Sequence, residues 1–129
     1  MNELPRIGLM LGDVTGIGPE ISAKILAAGT FKPLARIVVI GDARVLALGA
    51  RDAGVTLKSQ TYSDIEAIDW SRDEVPVIDL KNIDPAQFKR GEFSAESGKL
   101  TGDTLKHMID LALAGKLDGI TFAPLNKGA

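Results

Sequence analysis

Residues able to do chemistry gather in two stretches of this chain. The first is Gly12-Asp13-Val14-Thr15-Gly16-Ile17-Gly18-Pro19-Glu20, set between the apolar run 7–11 and Ile21, Ile25 and Leu26, which recur at helical spacing. A strand, a glycine loop and a helix start bring unpaired backbone N–H groups and a positive dipole end to one spot, which suits phosphate or another anion. Pro19 fits the first helical position, where its missing N–H costs nothing. The same punctuation also serves a plain tight turn in which glycine supplies positive φ. Two nucleotide motifs are excluded: a dinucleotide fingerprint on Gly16 and Gly18 would need glycine at position 21, which is isoleucine, and no Gly-Lys-Ser/Thr follows for a Walker loop. The second stretch is Thr121-Phe122-Ala123-Pro124-Leu125-Asn126-Lys127, where a hydroxyl, an amide and an ammonium follow an apolar strand.

Each of these side chains has a chemical and a structural use. Asp13 could hydrogen-bond ribose hydroxyls, orient a polar substrate group, or cap N–H groups of its own turn. Glu20, in the first helical turn, is favourably placed against the dipole. Lys127 could neutralise a phosphate or a developing alkoxide, or be a solvated surface lysine, and Asn126 beside it both donates and accepts. The hydroxyls of Ser94, Ser97 and Thr121 suit polar substrates, capping or the edge of a strand ladder. The single histidine, His107, lies between Lys106 and Asp110 on a helix face that reads as partly exposed. One histidine cannot supply a catalytic metal site, which typically takes three protein ligands, and no Ser/His/Asp arrangement is available. Zero cysteines exclude disulfides and thiolate chemistry.

The elements that must position these residues alternate, which predicts an α/β fold of three αβα layers around a parallel or mixed sheet. Strand 7–11 leads to a helix over 19–28, stopped by Gly29. Strand 36–40 ends at Gly41-Asp42, and a helix over 43–53 turns Val45, Leu46, Leu48 and Gly49 inward, closed by Gly54. A weakly signalled strand covers 55–61, an acidic irregular passage 63–74, and another strand 75–80, where Pro76 implies a sheet edge or a strand start. Residues 81–96 lack periodicity and predict a long loop. From Ser97-Gly98 a helix runs with Leu105, Met108, Ile109 and Ala112 inward, ended by Gly115. The final strand, 119–123, delivers Asn126 and Lys127 to its carboxyl end, where open α/β sheets bind ligands.

Composition sets outer limits. A chain of 129 residues with 45% hydrophobic and 25% charged residues reads as one soluble domain. A net charge of −2 and a pI near 5.3 argue against a nucleic-acid footprint. No apolar stretch approaches transmembrane length and the first residues lack a secretory pattern, so the expected location is cytoplasmic, without membrane or nucleic-acid partners.

GDVTGIGPE resembles the N-terminal signature of the 4-hydroxythreonine-4-phosphate dehydrogenase family, usually written GDPAGIGPE. Gly91-Glu92-Phe93-Ser94-Ala95-Glu96-Ser97-Gly98 is similar to the family's G-x-x-S-x-x-x-G element, and residues 120–127 to its T-A-P-x-N-K strand end. The three motifs occur in the family's order. The phosphothreonate and phosphoerythronate dehydrogenase branch shares them. Family members are well over twice as long, so the resemblance implies an N-terminal portion, 1–129, that alone would be unstable or associated. It implies an isocitrate/isopropylmalate dehydrogenase-like architecture, in whose shorter GDGIGPE loop the dinucleotide lies close. By that resemblance Gly12, Asp13, Gly16 and Gly18 are the cofactor-proximal residues, Thr121 and Asn126 contact substrate, and Lys127 takes part in catalysis. The implied enzyme is an NAD- or NADP-dependent oxidoreductase and a homodimer. Its divalent metal (Zn, Mg or Co) would be held by histidines beyond Ala129, with no metal ligand in this segment. It would oxidise and decarboxylate 4-phosphohydroxy-L-threonine in pyridoxal phosphate (pyridoxine) biosynthesis. The alternatives are oxidation of 4-phospho-D-threonate or D-erythronate in four-carbon acid catabolism, and a truncated binding module without catalysis. Val14-Thr15, where the family usually has Pro-Ala, keeps every glycine and adds a hydroxyl, which bears on substrate identity more than on fold.

Overall fold

The computed structural model describes residues 4–11, 18–81 and 95–122. Its elements are β1 (Arg6–Met10), α1 (Gly18–Ala28), β2 (Arg36–Gly41), α2 (Ala43–Ala53), β3 (Ser59–Tyr62), a single 3-10 turn (Ile65–Ala67), β4 (Val75–Asp79), α3 (Ala95–Leu113) and β5 (Gly119–Phe122). The five strands form one sheet in the order β3-β4-β2-β1-β5, and every pairing is parallel. Of the two sheet types left open by the sequence, the described strands take the parallel one.

Strand alternation sends successive side chains to opposite faces, and β2 shows the consequence. Val39 joins Leu9, Leu11, Ala23, Leu26, Val45, Leu46, Val75 and Val77 in a core beneath α1 and α2. Val38 and Ile40 join Met10, Ile78, Met108 and Leu117 in a second core beneath α3. A strand buried on both faces must be apolar throughout, which is why Ile37-Val38-Val39-Ile40 carries no polar residue.

α2 matches its expected bounds because both of its ends are written locally. The Asp42 side chain accepts from the Arg44 N–H, and Gly54, at φ 69°, turns into the left-handed region and donates back to the Ala50 and Arg51 carbonyls. Val45, Leu46 and Gly49 are buried, and Leu48 is only partly so.

Four expectations are corrected. Pro76 is not at a sheet edge, because β4 lies between β3 and β2; it is the second residue of its strand, which leaves the strand-start reading. The strand expected at 55–61 is Ser59–Tyr62, while Val55 and Leu57 pack against the first core from outside any ladder. α3 starts at Ala95, two residues earlier than expected; the rest of the expected loop, 82–94, lies outside the described residues. On α3 the inward set is Thr104 and Met108, with Leu105, Leu111 and Ala112 partly buried, while Ile109 is 39% exposed. Met108 is fully buried, so the inward stripe is centred on it. That leaves Ile109, one position or 100° further round the helix, at the margin.

Candidate functional site

The glycine loop lies between the end of β1 and the start of α1. Gly18 and Pro19 open α1 and are both buried. Their position is set by α2: a side-chain carbon on Gly49 would collide with the Pro19 carbonyl. Glycine at 49 therefore lets the two helix backbones touch where α1 begins. The first N–H groups of any α-helix lack intrahelical partners, so the start of α1 offers donors and a positive dipole end at the carboxyl edge of the sheet.

β5 brings Thr121 to the same edge. Thr121 pairs with Leu9 and Ile120 with Gly8. Leu9 belongs to the core under α1 and α2, so Thr121 shares the sheet face that carries α1, and it is exposed. β5 is held in register at its foot. Asp118 Oδ2 accepts from the Arg6 backbone N–H at 2.8 Å and lies 3.5 Å from Arg6 Nε, while the Asp118 N–H donates to the Arg6 carbonyl at 2.8 Å. The Arg6 backbone N–H, with the guanidinium as a further cause, holds the Asp118 carboxyl below the ordinary carboxylate range. α3 and the turn that follows it lie so close to β1 that a side-chain carbon on Gly8 would stand 2.8 Å from Leu117 Cδ1 and 3.2 Å from Met108 Sδ.

The start of α2, at the neighbouring strand end, is closed by its own chain. Buried Asp42 accepts from Arg44 N–H at 2.9 Å and pairs with the Arg44 guanidinium at 3.0 and 2.8 Å. Asp79, the last residue of β4, accepts from Ala43 N–H at 3.2 Å and Lys81 N–H at 3.1 Å. Lys81 sits at φ 53°, a left-handed conformation that costs a non-glycine residue about 1 kcal/mol. Two carboxylates thus occupy the dipole end of α2, which disfavours a further anion there. Sequence reading placed Gly41-Asp42 only as a strand end. A Gly-Asp pair before an apolar helix is a capping signal that could have revealed Asp42, whereas Asp79 reaches Ala43 across 36 residues and no local pattern announces it.

Of the residues singled out from the sequence, Gly18 and Thr121 are thus placed at one edge of the sheet. Gly12, Asp13, Gly16, Asn126 and Lys127 lie outside the described residues, as do Ser94 and Glu92-Phe93 of the middle motif. His107 is exposed on α3. Among the described residues no group of three His, Cys, Asp or Glu side chains could hold a metal ion, and none of their helices is long and apolar enough to cross a membrane.

Residues 33–129 match the model of a family described as pyridoxal phosphate biosynthetic protein PdxA. The chain belongs to the PdxA family. It is 40% identical over 126 residues to a Rhizobium meliloti protein provisionally named 4-hydroxythreonine-4-phosphate dehydrogenase 2, covering 97% of this chain and 36% of that one. It is 36% identical over 129 residues to a Symbiobacterium thermophilum protein provisionally named D-threonate 4-phosphate dehydrogenase, covering 100% of this chain and 38% of the relative. The crystal structure of a 4-hydroxythreonine-4-phosphate dehydrogenase from Burkholderia phymatum superimposes with a TM-score of 0.89 at 34% identity, over 98% of this chain and 38% of that chain. The chain therefore spans little more than a third of the length of these relatives.

Proposed function

We propose that the natural gene product carrying this segment is a dehydrogenase that oxidises a phosphorylated hydroxy acid with NAD or NADP, and that residues 1–129 form its N-terminal portion. The observation that carries the reading is the match to the PdxA family over 33–129, joined to relatives named as dehydrogenases of phosphorylated threonine-like acids. Two placements support it: α1 begins at Gly18, next to the glycine loop, and exposed Thr121 stands on the face of the sheet that carries α1.

The start of α1 fits a phosphate-bearing cofactor in its chemistry, with N–H donors that lack intrahelical partners and a positive dipole end. Gly12, Asp13, Gly16 and Gly18 would hold the nicotinamide dinucleotide, which when bound supplies the hydride acceptor. Glycines there let backbone approach the cofactor closely, and the Asp13 carboxylate would accept from ribose hydroxyls. The Thr121 hydroxyl and the Asn126 amide would orient the substrate's polar groups, and the Lys127 ammonium would stabilise negative charge growing on the substrate oxygen. The described residues do not form a metal site, so the divalent ion of the reading would be held by residues elsewhere in the protein. A homodimer acting in the cytoplasm completes the reading.

The substrate proposed first is 4-phosphohydroxy-L-threonine, oxidised with decarboxylation in pyridoxal phosphate biosynthesis. A second reading, 4-phospho-D-threonate or D-erythronate, is favoured by the Symbiobacterium relative's name and by the extra hydroxyl of Thr15. The two separate in one assay: the natural gene product, with NAD or NADP and a divalent metal, is given each acid in turn and formation of reduced nicotinamide is followed. Turnover at least tenfold faster with 4-phosphohydroxy-L-threonine supports the first reading, and the reverse ratio supports the second. Absence of reduced nicotinamide with either acid would sink both and leave a binding module.

A further inference from the structure

Pro76 marks where pairing between β2 and β4 stops toward their amino ends. The Val75 N–H donates to the Lys58 carbonyl at 2.9 Å and the Leu80 N–H to the Gly41 carbonyl at 2.8 Å, so odd residues of β4 face β3 and even ones face β2. Pro76 therefore turns its missing donor toward β2, and the ladder between these strands begins only at Val39 and Val77. A cavity of about 350 Å³ lies at that end of the pair, lined by Arg36 and Ile37 of β2 and by Val75 and Pro76 of β4. Leu4 and Ala35 also line it, and its aromatic walls come from both sides of the sheet: Phe31 packs against the core under α1 and α2, and Trp70 against the core under α3.

The charges around this cavity do not cancel. Lys32 is held by Asp73 at 2.6 Å and Arg72 by Glu74 at 2.9 Å. Arg36, also in the wall, has no carboxylate partner among the described residues; its guanidinium carbon lies 5.9 Å from the centre of the Trp70 ring. Stacking of that kind orients the guanidinium without using its fork of N–H donors. Three cations stand against two carboxylates, a surplus of one positive charge beside aromatic walls.

We propose that this cavity binds a small aromatic monocarboxylate, with the carboxylate on the Arg36 guanidinium and the ring between Phe31 and Trp70. A volume near 350 Å³ is at the lower end of the range for small-molecule sites, about 300–1,000 Å³. The proposal does not rest on the dehydrogenase reading: the cavity is at the amino ends of β2 and β4, and either reading can fail without the other.

Titration calorimetry of the natural gene product with benzoate should show saturable binding with a dissociation constant of about 0.1–1 mM, ordinary for so small a ligand. Benzamide, equal in shape and uncharged, should bind at least tenfold more weakly. Arg36→Gln should abolish the preference while keeping the urea midpoint, and Arg36→Lys should restore part of it. Equal responses to benzoate and benzamide, or a full preference retained in Arg36→Gln, would overturn the proposal. So would the lack of a saturable change below about 10 mM. A crystal of the unaltered natural gene product soaked in benzoate gives a readout that needs no variant: carboxylate density on Arg36 is expected, and an empty cavity overturns the assignment.

Discussion

The two faces of the sheet are covered by different means. On one, α1 and α2 lie against each other closely enough that Gly49 has no room for a side chain beside the Pro19 carbonyl. Ala23, Leu26, Val45 and Leu46 fill the space below. On the other, α3 stands beside the turn around Ile65 and Ile68. Leu113 there is 82% exposed, and Ile109 and Ile120 are more than a third exposed. Gly8, whose partner in register is Ile120, faces Met108, so Ile120 lies on the α3 face too. The helix pair fixes the start of α1 through backbone contact, and backbone cannot yield. Among the described residues, α3 and the turn that follows it meet β1 through Met108 and Leu117, flexible side chains that can.

The largest effect expected from this difference is at Gly49. On an open helix face, glycine to alanine gains about 1 kcal/mol; Gly49→Ala should instead lose about 3 kcal/mol, because α2 must move off Pro19. Urea unfolding of the chain measures it, and a stabilised variant would break the comparison. Met108→Ala should cost about 2–3 kcal/mol, toward the low end for a buried methionine, since a lone helix can settle into the gap. A loss above that of Gly49→Ala would reverse the ranking.

Asp42→Ala should cost about 1–2 kcal/mol by uncapping α2, and amide exchange should quicken first at Arg44, whose N–H the Asp42 carboxylate accepts. Loss of protection spread evenly over the chain would show that the cap is not local. These three effects rest on packing and capping, which the sequence discloses unevenly. The bounds of α2 were legible because Asp42 and Gly54 act within their own turns. The contact of Gly49 with Pro19, the reach of Asp79 to Ala43 and the interior place of Pro76 were not, since each joins residues far apart along the chain. The inward face of α3 was read one position off because periodicity gives a stripe's width and only packing gives its centre. Of the candidate site, the helix start at Gly18 and the strand that carries Thr121 were legible from alternation of elements alone.

The Arg6–Asp118 link ties β5 to β1 on the more loosely covered side. The carboxyl is held below its ordinary range in the folded chain. Its contribution is therefore present above the unfolded carboxylate pKa, near 4, and is lost as pH falls through the lower folded value. Urea midpoints of the natural sequence and of Asp118→Asn should differ at neutral pH and converge in acid, and a gap that stays constant with pH would contradict the assignment. The smallest effect is at Leu113, where Leu113→Lys should change stability by less than about 0.5 kcal/mol. If the exposed stripe of Leu113, Ile109 and Ile120 drives association, sedimentation of the variant should show less of it than the natural sequence.

The central claim concerns chemistry at the carboxyl edge of the sheet, and kinetics of the natural gene product with Lys127→Ala test it most directly. The account predicts that the unaltered protein forms reduced nicotinamide from a phosphorylated hydroxy acid. It also predicts that Lys127→Ala lowers kcat about 100-fold or more, as loss of an electrostatic stabiliser does, with little change in cofactor affinity. An unaltered kcat would remove Lys127 from the site, and a natural protein inactive with every phosphorylated acid offered would contradict the dehydrogenase reading itself.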